Sequence, residues 1–361
     1  MTKYVFVFGA GASRDEGLPL QSSLLNEYFS SGTDELRTDL KNYFEDFYDI
    51  NFRDLEHAKF PSFEEALGII ELALQKEEIF GPTYPSAKLQ TIRKNLVLSM
   101  GLAIQRCPLN TEGAHNRLIS RLHRKSHFKQ DEYNFISFNY DILLDKALMN
   151  LFEDSIFLDY GIEFINEDPK YTNDSFGLWE SARDKDSITL LKPHGSLNWM
   201  YCQNCGSVYI KGDKKSNFFQ SGYLQKIEQC LKDQCILDWI IEPPSYFKKY
   251  NNIFLQNIWK RAYDILSKAD KIIFIGYSMP EVDIWFKYLL KKSCFGKKKK
   301  ITVIDPSPLD CLPKDQLAYK YERFLGSIDY YQTTFRTFAG NHIPFLNGEK
   351  VKDIPCILQL I

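Results

Sequence analysis

A buried-looking strand that runs straight into glycines constrains this chain more than any other feature. Lys3–Phe8 reads KYVFVF, β-branched and aromatic with no helical period, and Gly9-Ala10-Gly11-Ala12-Ser13 follows at once. A glycine turn between a strand and a helix lets backbone N–H groups approach a pyrophosphate. The motif lacks the third glycine of a dinucleotide fingerprint, so a plain tight turn fits the same residues. Residues 14–30 read as a helix, with Leu20, Leu24, Leu25 and Tyr28 on one face. Further apolar strands are expected at 133–141, 188–195, 271–281, 299–308 and 329–338, with helical patterns between them. Apolar strands alternating with helices predict an α/β fold: a Rossmann-like parallel sheet with helices on both faces. Residues 34–127 are helical almost throughout, too long for a simple crossover, and read as a helical insertion or cap.

Polar residues gather at the predicted strand ends, where open α/β sheets bind ligands. FNYD places Asn139 and Asp141 at one tip. Asp141 reads as a cap for the following helix; the Asn139 amide can donate and accept toward a hydroxyl or a water. KPHG places His194 at another tip, and an imidazole is suited to general-base work near neutral pH. His123 and His127, four apart with no third ligand in view, read as surface residues. Cys202-Gln-Asn-Cys205-Gly, followed by Cys230 and Cys235, gives C-x2-C and C-x4-C, within structural zinc spacing. Cys107, Cys294, Cys311 and Cys356 look isolated. The lysine-rich run 291–300 reads as a solvated loop leading into a strand.

Composition sets outer bounds. Aromatic residues make up 15% of the 361, which predicts a large core, and 25% charged residues are ordinary for a globular protein. A net charge of −2 gives no electrostatic footprint for nucleic acid or an anionic membrane. No run of about 18 apolar residues predicts a membrane span, and the N-terminal apolar stretch is too short for a signal peptide, so a cytoplasmic location is expected. In a reducing compartment eight cysteines do not suggest a disulfide framework.

In order, these pieces resemble the sirtuin-like NAD-consuming fold. GAGASRDEGLP is similar to that family's glycine-serine-glycine-proline loop, FNYD to its Asn-x-Asp tip and PHG to its His-Gly. The cysteine pairs stand at the place of its zinc module, IGYSMPEVD at its later Gly-x-Ser contact, and VIDPSP where a ribose-binding polar residue often lies. The resemblance covers about residues 1–30 and 130–310. It implies a discontinuous NAD-binding Rossmann domain (1–33 and 128–345), the insertion 34–127, and a small zinc module at 199–240. Deacylases of the family usually carry a Phe-Arg segment after Gly-x-Pro; here the chain reads LQSSLLNE. FNYD, HGSLNW and IGYSMPEVD look more like the bacterial sirtuin-like NADases of anti-phage defence.

That resemblance implies an NAD⁺ hydrolase whose release on infection depletes NAD⁺. Gly9, Ala10, Gly11 and Ser13 would hold the diphosphate, with Asp141, Gly276, Ser278 and Asp305 completing the cofactor site. Asn139 and His194 would be catalytic, and Cys202, Cys205, Cys230 and Cys235 would bind a structural zinc ion. NAD⁺-dependent protein deacylation is one alternative. A non-enzymatic NAD or ADP-ribose sensor, or an assembly subunit, is another. The expected partners are further copies of this chain or a protein such as a hexameric ATPase.

Overall fold

The first strand is apolar on both faces because both faces are covered. In the computed structural model β1 (Lys3–Phe8) is buried from Tyr4 onward. The structure describes residues 1–20, 22–30, 37–106, 112–124, 131–152, 157–180, 187–211, 228–242, 253–308 and 316–340. His127, Cys107, Cys311 and Cys356 lie outside the described residues. After β1 come the helices α1 (Ala10–Arg14), α2 (Leu24–Ser30), α3 (Arg37–Tyr48), α4 (Phe63–Gln75), α5 (Ser86–Arg106) and α6 (Ala114–Arg124). Next are β2 (Glu132–Ser137), α7 (Leu143–Phe152), β3 (Phe157–Asp159) and β4 (Ser187–Leu191). Three short strands follow: β5 (Gly195–Tyr201), β6 (Val208–Ile210) and β7 (Asp238–Ile241). The chain then runs through α8 (Ile253–Lys268), β8 (Lys271–Ile275), α9 (Ile284–Cys294), β9 (Lys300–Asp305), α10 (Leu317–Leu325), β10 (Asp329–Gln332) and α11 (Phe335–Gly340).

Seven strands form one sheet in the order β10-β9-β8-β1-β2-β4-β3. Every pairing in it is parallel. Chain order runs one way from β1 through β2 and the other way from β8 through β10. The strand order reverses between β1 and β8, and doubly wound sheets take ligands at the carboxyl ends beside such a reversal. This is a Rossmann-like α/β fold. Aromatic residues of adjacent strands stack along the sheet, as with Phe6 and Phe135, whose ring centroids are 5.6 Å apart.

A second core lies beside the sheet. Residues of α2 to α5 pack there with Leu197, Met200, Trp239 and Ile241 of an antiparallel sheet ordered β6-β5-β7. The helical stretch and the cysteine-bearing strands therefore share one apolar interior. No helix among the described residues is long and apolar enough to cross a membrane.

Two expected elements differ. The predicted helix 14–30 is split into α1 and α2. Gly17 takes φ of 94° and Pro19 follows, and both stop a helix. The last strand covers only Asp329–Gln332, and Phe335–Gly340 is helical. The lysine-rich run is mostly exposed, as expected, but 291–294 are the last turn of α9 and not loop. Within it, Lys299 donates to the carbonyls of Ser267 and Ala269 at the carboxyl end of α8.

Candidate functional site

Four of the predicted loops meet at the carboxyl ends of β1, β2, β4 and β8. The glycine turn and the β8 turn are packed backbone to backbone. Gly9 N–H donates to Ile275 O at 3.1 Å and Gly11 N–H to Gly276 O at 2.9 Å. A Cβ on Gly9 would lie 2.6 Å from Gly276 O, and one on Gly11 would lie 2.8 Å from Gly276 Cα. Close approach of two turns thus requires these glycines, and their N–H groups already have acceptors. Ala10 and Ser13 line a narrow cleft with Asn139, Tyr140 and Asp141.

Asn139 ties the β2 tip to this turn. Its buried Nδ2 donates to Gly9 O at 2.9 Å and to Ser13 Oγ at 2.8 Å. Ser13 Oγ in turn donates to Asp141 Oδ2 at 2.7 Å. Asp141 Oδ1 accepts the Leu143 N–H at 3.0 Å, capping α7. Below them Lys192, fully buried, donates to Asp141 O at 2.6 Å, Ser196 Oγ at 2.7 Å and Asp145 Oδ2 at 3.3 Å. A buried ammonium needs such a set of acceptors, and here it fixes the turn that carries Asp141.

His194 faces another way. Successive residues of the extended tip point to opposite sides. Asn139 turns toward the glycines, while the Phe138 ring lies 4.9 Å from the His194 ring and Tyr140 6.4 Å from it. Trp259 stands 6.2 Å away, and His194 Nε2 is 3.6 Å from Asp283 Oδ1. Asp283 also accepts the Tyr277 hydroxyl proton at 2.6 Å. Burial, then the Glu64, Asp283 and Glu242 charges, push the Tyr140 phenol well above its usual value, so it stays protonated. The His194 turn is locked from behind by Glu242 N–H, which donates to His194 O at 2.9 Å.

The remaining cofactor candidates lie at neighbouring strand ends. Gly276 takes φ of 58° in the turn after β8. Ser278 is exposed, and its carbonyl accepts from Lys320 Nζ at 3.2 Å. Asp305 is buried at the end of β9, where Oδ1 accepts the Ser307 N–H at 2.9 Å and its hydroxyl at 2.5 Å. A wider groove of about 680 Å³, lined by Glu163, Glu167, Asp168 and Trp179, carries none of these loops.

The cysteines form two matching knuckles. In one, Gly206 N–H donates to Cys202 O at 2.9 Å, and Gly206 has φ of 71°. In the other, Gln234 N–H donates to Cys230 O at 2.8 Å, and Gln234 has φ of 63°. Superposing the two patterns puts Asp233 where the first knuckle has Cys205. Ligand atoms of Cys202, Cys205, Cys230 and Asp233 all lie within 4.8 Å of one another. The Cys205 and Cys230 sulfurs are 3.6 Å apart. That is close to the roughly 3.8 Å edge of a tetrahedron with Zn–S bonds of about 2.3 Å. Three thiols and a carboxylate suit zinc, with no open position for catalysis. Cys235, the fourth cysteine of the spacing, is exposed beside the cluster, and its N–H donates to Asp233 Oδ1 at 3.1 Å. His123 is exposed, as a surface residue would be, and Cys294 is half-buried.

Asp283, Lys192 and Asp233 are not singled out by the sequence reading, although Asp283 and Lys192 lie within IGYSMPEVD and KPHG. Each becomes visible only when distant segments meet, although the x2 spacing of Cys230 to Asp233 repeats that of the first knuckle.

No family model matches the sequence, and no curated protein matches it. Among solved structures, Sir2 proteins align with most of this chain at low identity and with TM-scores below 0.5. One is Sir2 with the inhibitor EX-527, 2'-O-acetyl-ADP-ribose and deacetylated p53 peptide, at 15% identity and TM-score 0.40, covering 96% of this chain and 95% of that one. Another is a Sir2 homologue with a serine-to-alanine substitution, bound to ADP-ribose, at 13% identity and TM-score 0.43, covering 97% of this chain and 96% of that one. The Rossmann-like class rests on the strand order itself.

Proposed function

We propose that this chain is an NAD⁺ glycohydrolase. The observation that carries this is the convergence of the glycine turn, the Asn139 tip, the His194 tip and the Gly276 turn at the β1–β8 switch point. A nucleotide at the carboxyl end of the sheet would lie along Ala10 and Ser13. Asn139 would orient a ribose hydroxyl or the attacking water. His194, oriented by Asp283, would take a proton from that water. The bond from the anomeric carbon to the nicotinamide nitrogen breaks as the water oxygen bonds to that carbon. Nicotinamide leaves neutral with the bonding pair, and the products are nicotinamide and ADP-ribose. A positioned base contributes about 10²–10⁴-fold. The anti-phage role stays an extension of this chemistry by family resemblance. The zinc site would be structural, closing the two knuckles.

Purified protein mixed with NAD⁺ is expected to release nicotinamide and ADP-ribose, followed by chromatography. His194→Ala should lose most of the turnover, by about 10²-fold or more, while still binding NAD⁺. Equal loss of binding and rate would make His194 structural. Nicotinamide release only when an acetylated peptide is added would replace hydrolysis with deacylation.

A further inference from the structure

The cleft beside Asn139 has a polar residue that comes from the helical stretch. Glu64 lies in the first turn of α4, two residues after the N-cap Ser62. Its side chain lines the cleft with Ala10, Ser13, Asn139, Tyr140 and Asp141. Glu64 is 9% exposed, and among the described residues its Oε1 has no hydrogen-bond partner. A carboxyl so buried is costly unless something bonds it. Leu24, Met100 and Ile104 line the cleft as well, and among the described residues that line it none is a cation.

We propose that Glu64 is a nucleotide-binding residue of this cleft, whose protonated carboxyl donates a hydrogen bond to a phosphate oxygen of the ligand. The proposal rests on the nucleotide reading of the site and deepens it. Protonation is what the surroundings require. Burial pushes the Glu64 carboxyl up to about 8, with its own backbone N–H offsetting part of the rise. The facing loop brings Asp141 and the phenol of Tyr140, and behind Tyr140 stand His194, Glu242 and Asp283. Glu65 is its neighbour on α4. None of these would hold an ionised Glu64 against an anionic diphosphate. The neutral acid, by contrast, meets a phosphate oxygen with a proton rather than a charge.

The test is ADP-ribose binding by calorimetry on the full chain, from about pH 6 to about pH 9.5, where the ligand's diphosphate does not titrate. Wild-type affinity should hold up to about pH 8 and then fall by about tenfold per pH unit. Glu64→Gln keeps a donor at the same place without a titrating group. It should bind as the wild type does near pH 6.5 and lose the alkaline fall. Glu64→Ala should bind about tenfold more weakly at low pH and also show no alkaline fall. Thermal melting of each variant checks the fold, and the wild-type and Gln profiles decide the matter alone if the Ala variant does not fold. An alkaline fall that persists in Glu64→Gln overturns the proposal, as does wild-type affinity that rises with pH. In both cases ADP-ribose still binds, so the nucleotide reading stands. Absence of binding by the wild type overturns both together.

Discussion

Glu16, three residues past Ser13, shows what a single side chain contributes to the frame of this site. It is 5% exposed, and its Oε1 accepts from His115 Nδ1 at 2.6 Å and from the His115 N–H at 2.9 Å. Burial pushes the carboxyl upward, but the His115 bonds outweigh it and hold the group below its ordinary value. The ionised form is therefore the one that stabilises the fold. That stabilisation is fully present above the unfolded value of 4.5 and is lost as pH falls through the lower folded value. Glu16→Gln should cost about 1–3 kcal/mol at neutral pH in urea unfolding, because it weakens a charge-assisted bond at a buried histidine. The gap to wild type should shrink as pH drops below 4.5. A gap that stays constant over that range would mean Glu16 is neutral in the folded chain. The residue is polar and stands near the start of the predicted helix 14–30, where nothing in the sequence marks it as buried. Only the approach of Gly113 and α6 from 97 residues further along buries it. Asn139 was legible for the opposite reason: it stands at the end of an apolar run, where the end of the strand itself places it.

At the scale of elements, the strands of the large sheet could be read because burial on both faces makes each a continuous apolar run. β1, β2, β4, β8 and β9 lie where those runs lie. The small antiparallel sheet could not be read in this way. Its strands have three to seven residues and mix Asn, Ser and Tyr with apolar positions, since one of its ends is a cysteine knuckle and the other is the His194 turn. Turn chemistry was partly legible. The glycines were visible, but their reason is the packing of the β1 and β8 turns as much as any ligand. Gly276→Ala tests this. A Cβ there would lie 2.2 Å from Ala12 N, and φ is 58°. Left-handed strain and overpacking should together cost about 2–4 kcal/mol, seen as a lower unfolding midpoint. An unchanged midpoint would show that the two turns can separate freely, and the glycines would then have to be explained by a ligand.

Across the whole molecule the small sheet joins the metal cluster to the candidate site. At one end Leu197 N–H donates to Tyr140 O at 3.0 Å and Glu242 N–H to His194 O at 2.9 Å. A Cβ on Gly195 would lie 1.8 Å from Ile240 O, so the His194 turn is pressed against β7. At the other end β5 leads into Cys202, and Trp239 of β7 packs in the helical core. Metal bound at the knuckles would therefore support both the second core and the loop that carries His194. Two ligand sets compete: the four cysteines of the sequence spacing, and Cys202, Cys205, Cys230 and Asp233 as the folded chain clusters them. The two knuckles share the same backbone bond and a positive-φ residue at the same position, Gly206 and Gln234, and that symmetry favours Asp233. Elemental analysis of the purified chain should find about one zinc ion per molecule. Cys230→Ser and Asp233→Ala should lose it and melt earlier, because binding of this type couples to folding. Cys235→Ser should keep both the zinc and the melting temperature. Should Cys235→Ser lose the metal while Asp233→Ala retains it, the exposed thiol must swing inward on binding, and the C-x4-C spacing would describe the occupied site better than the clustered donors do.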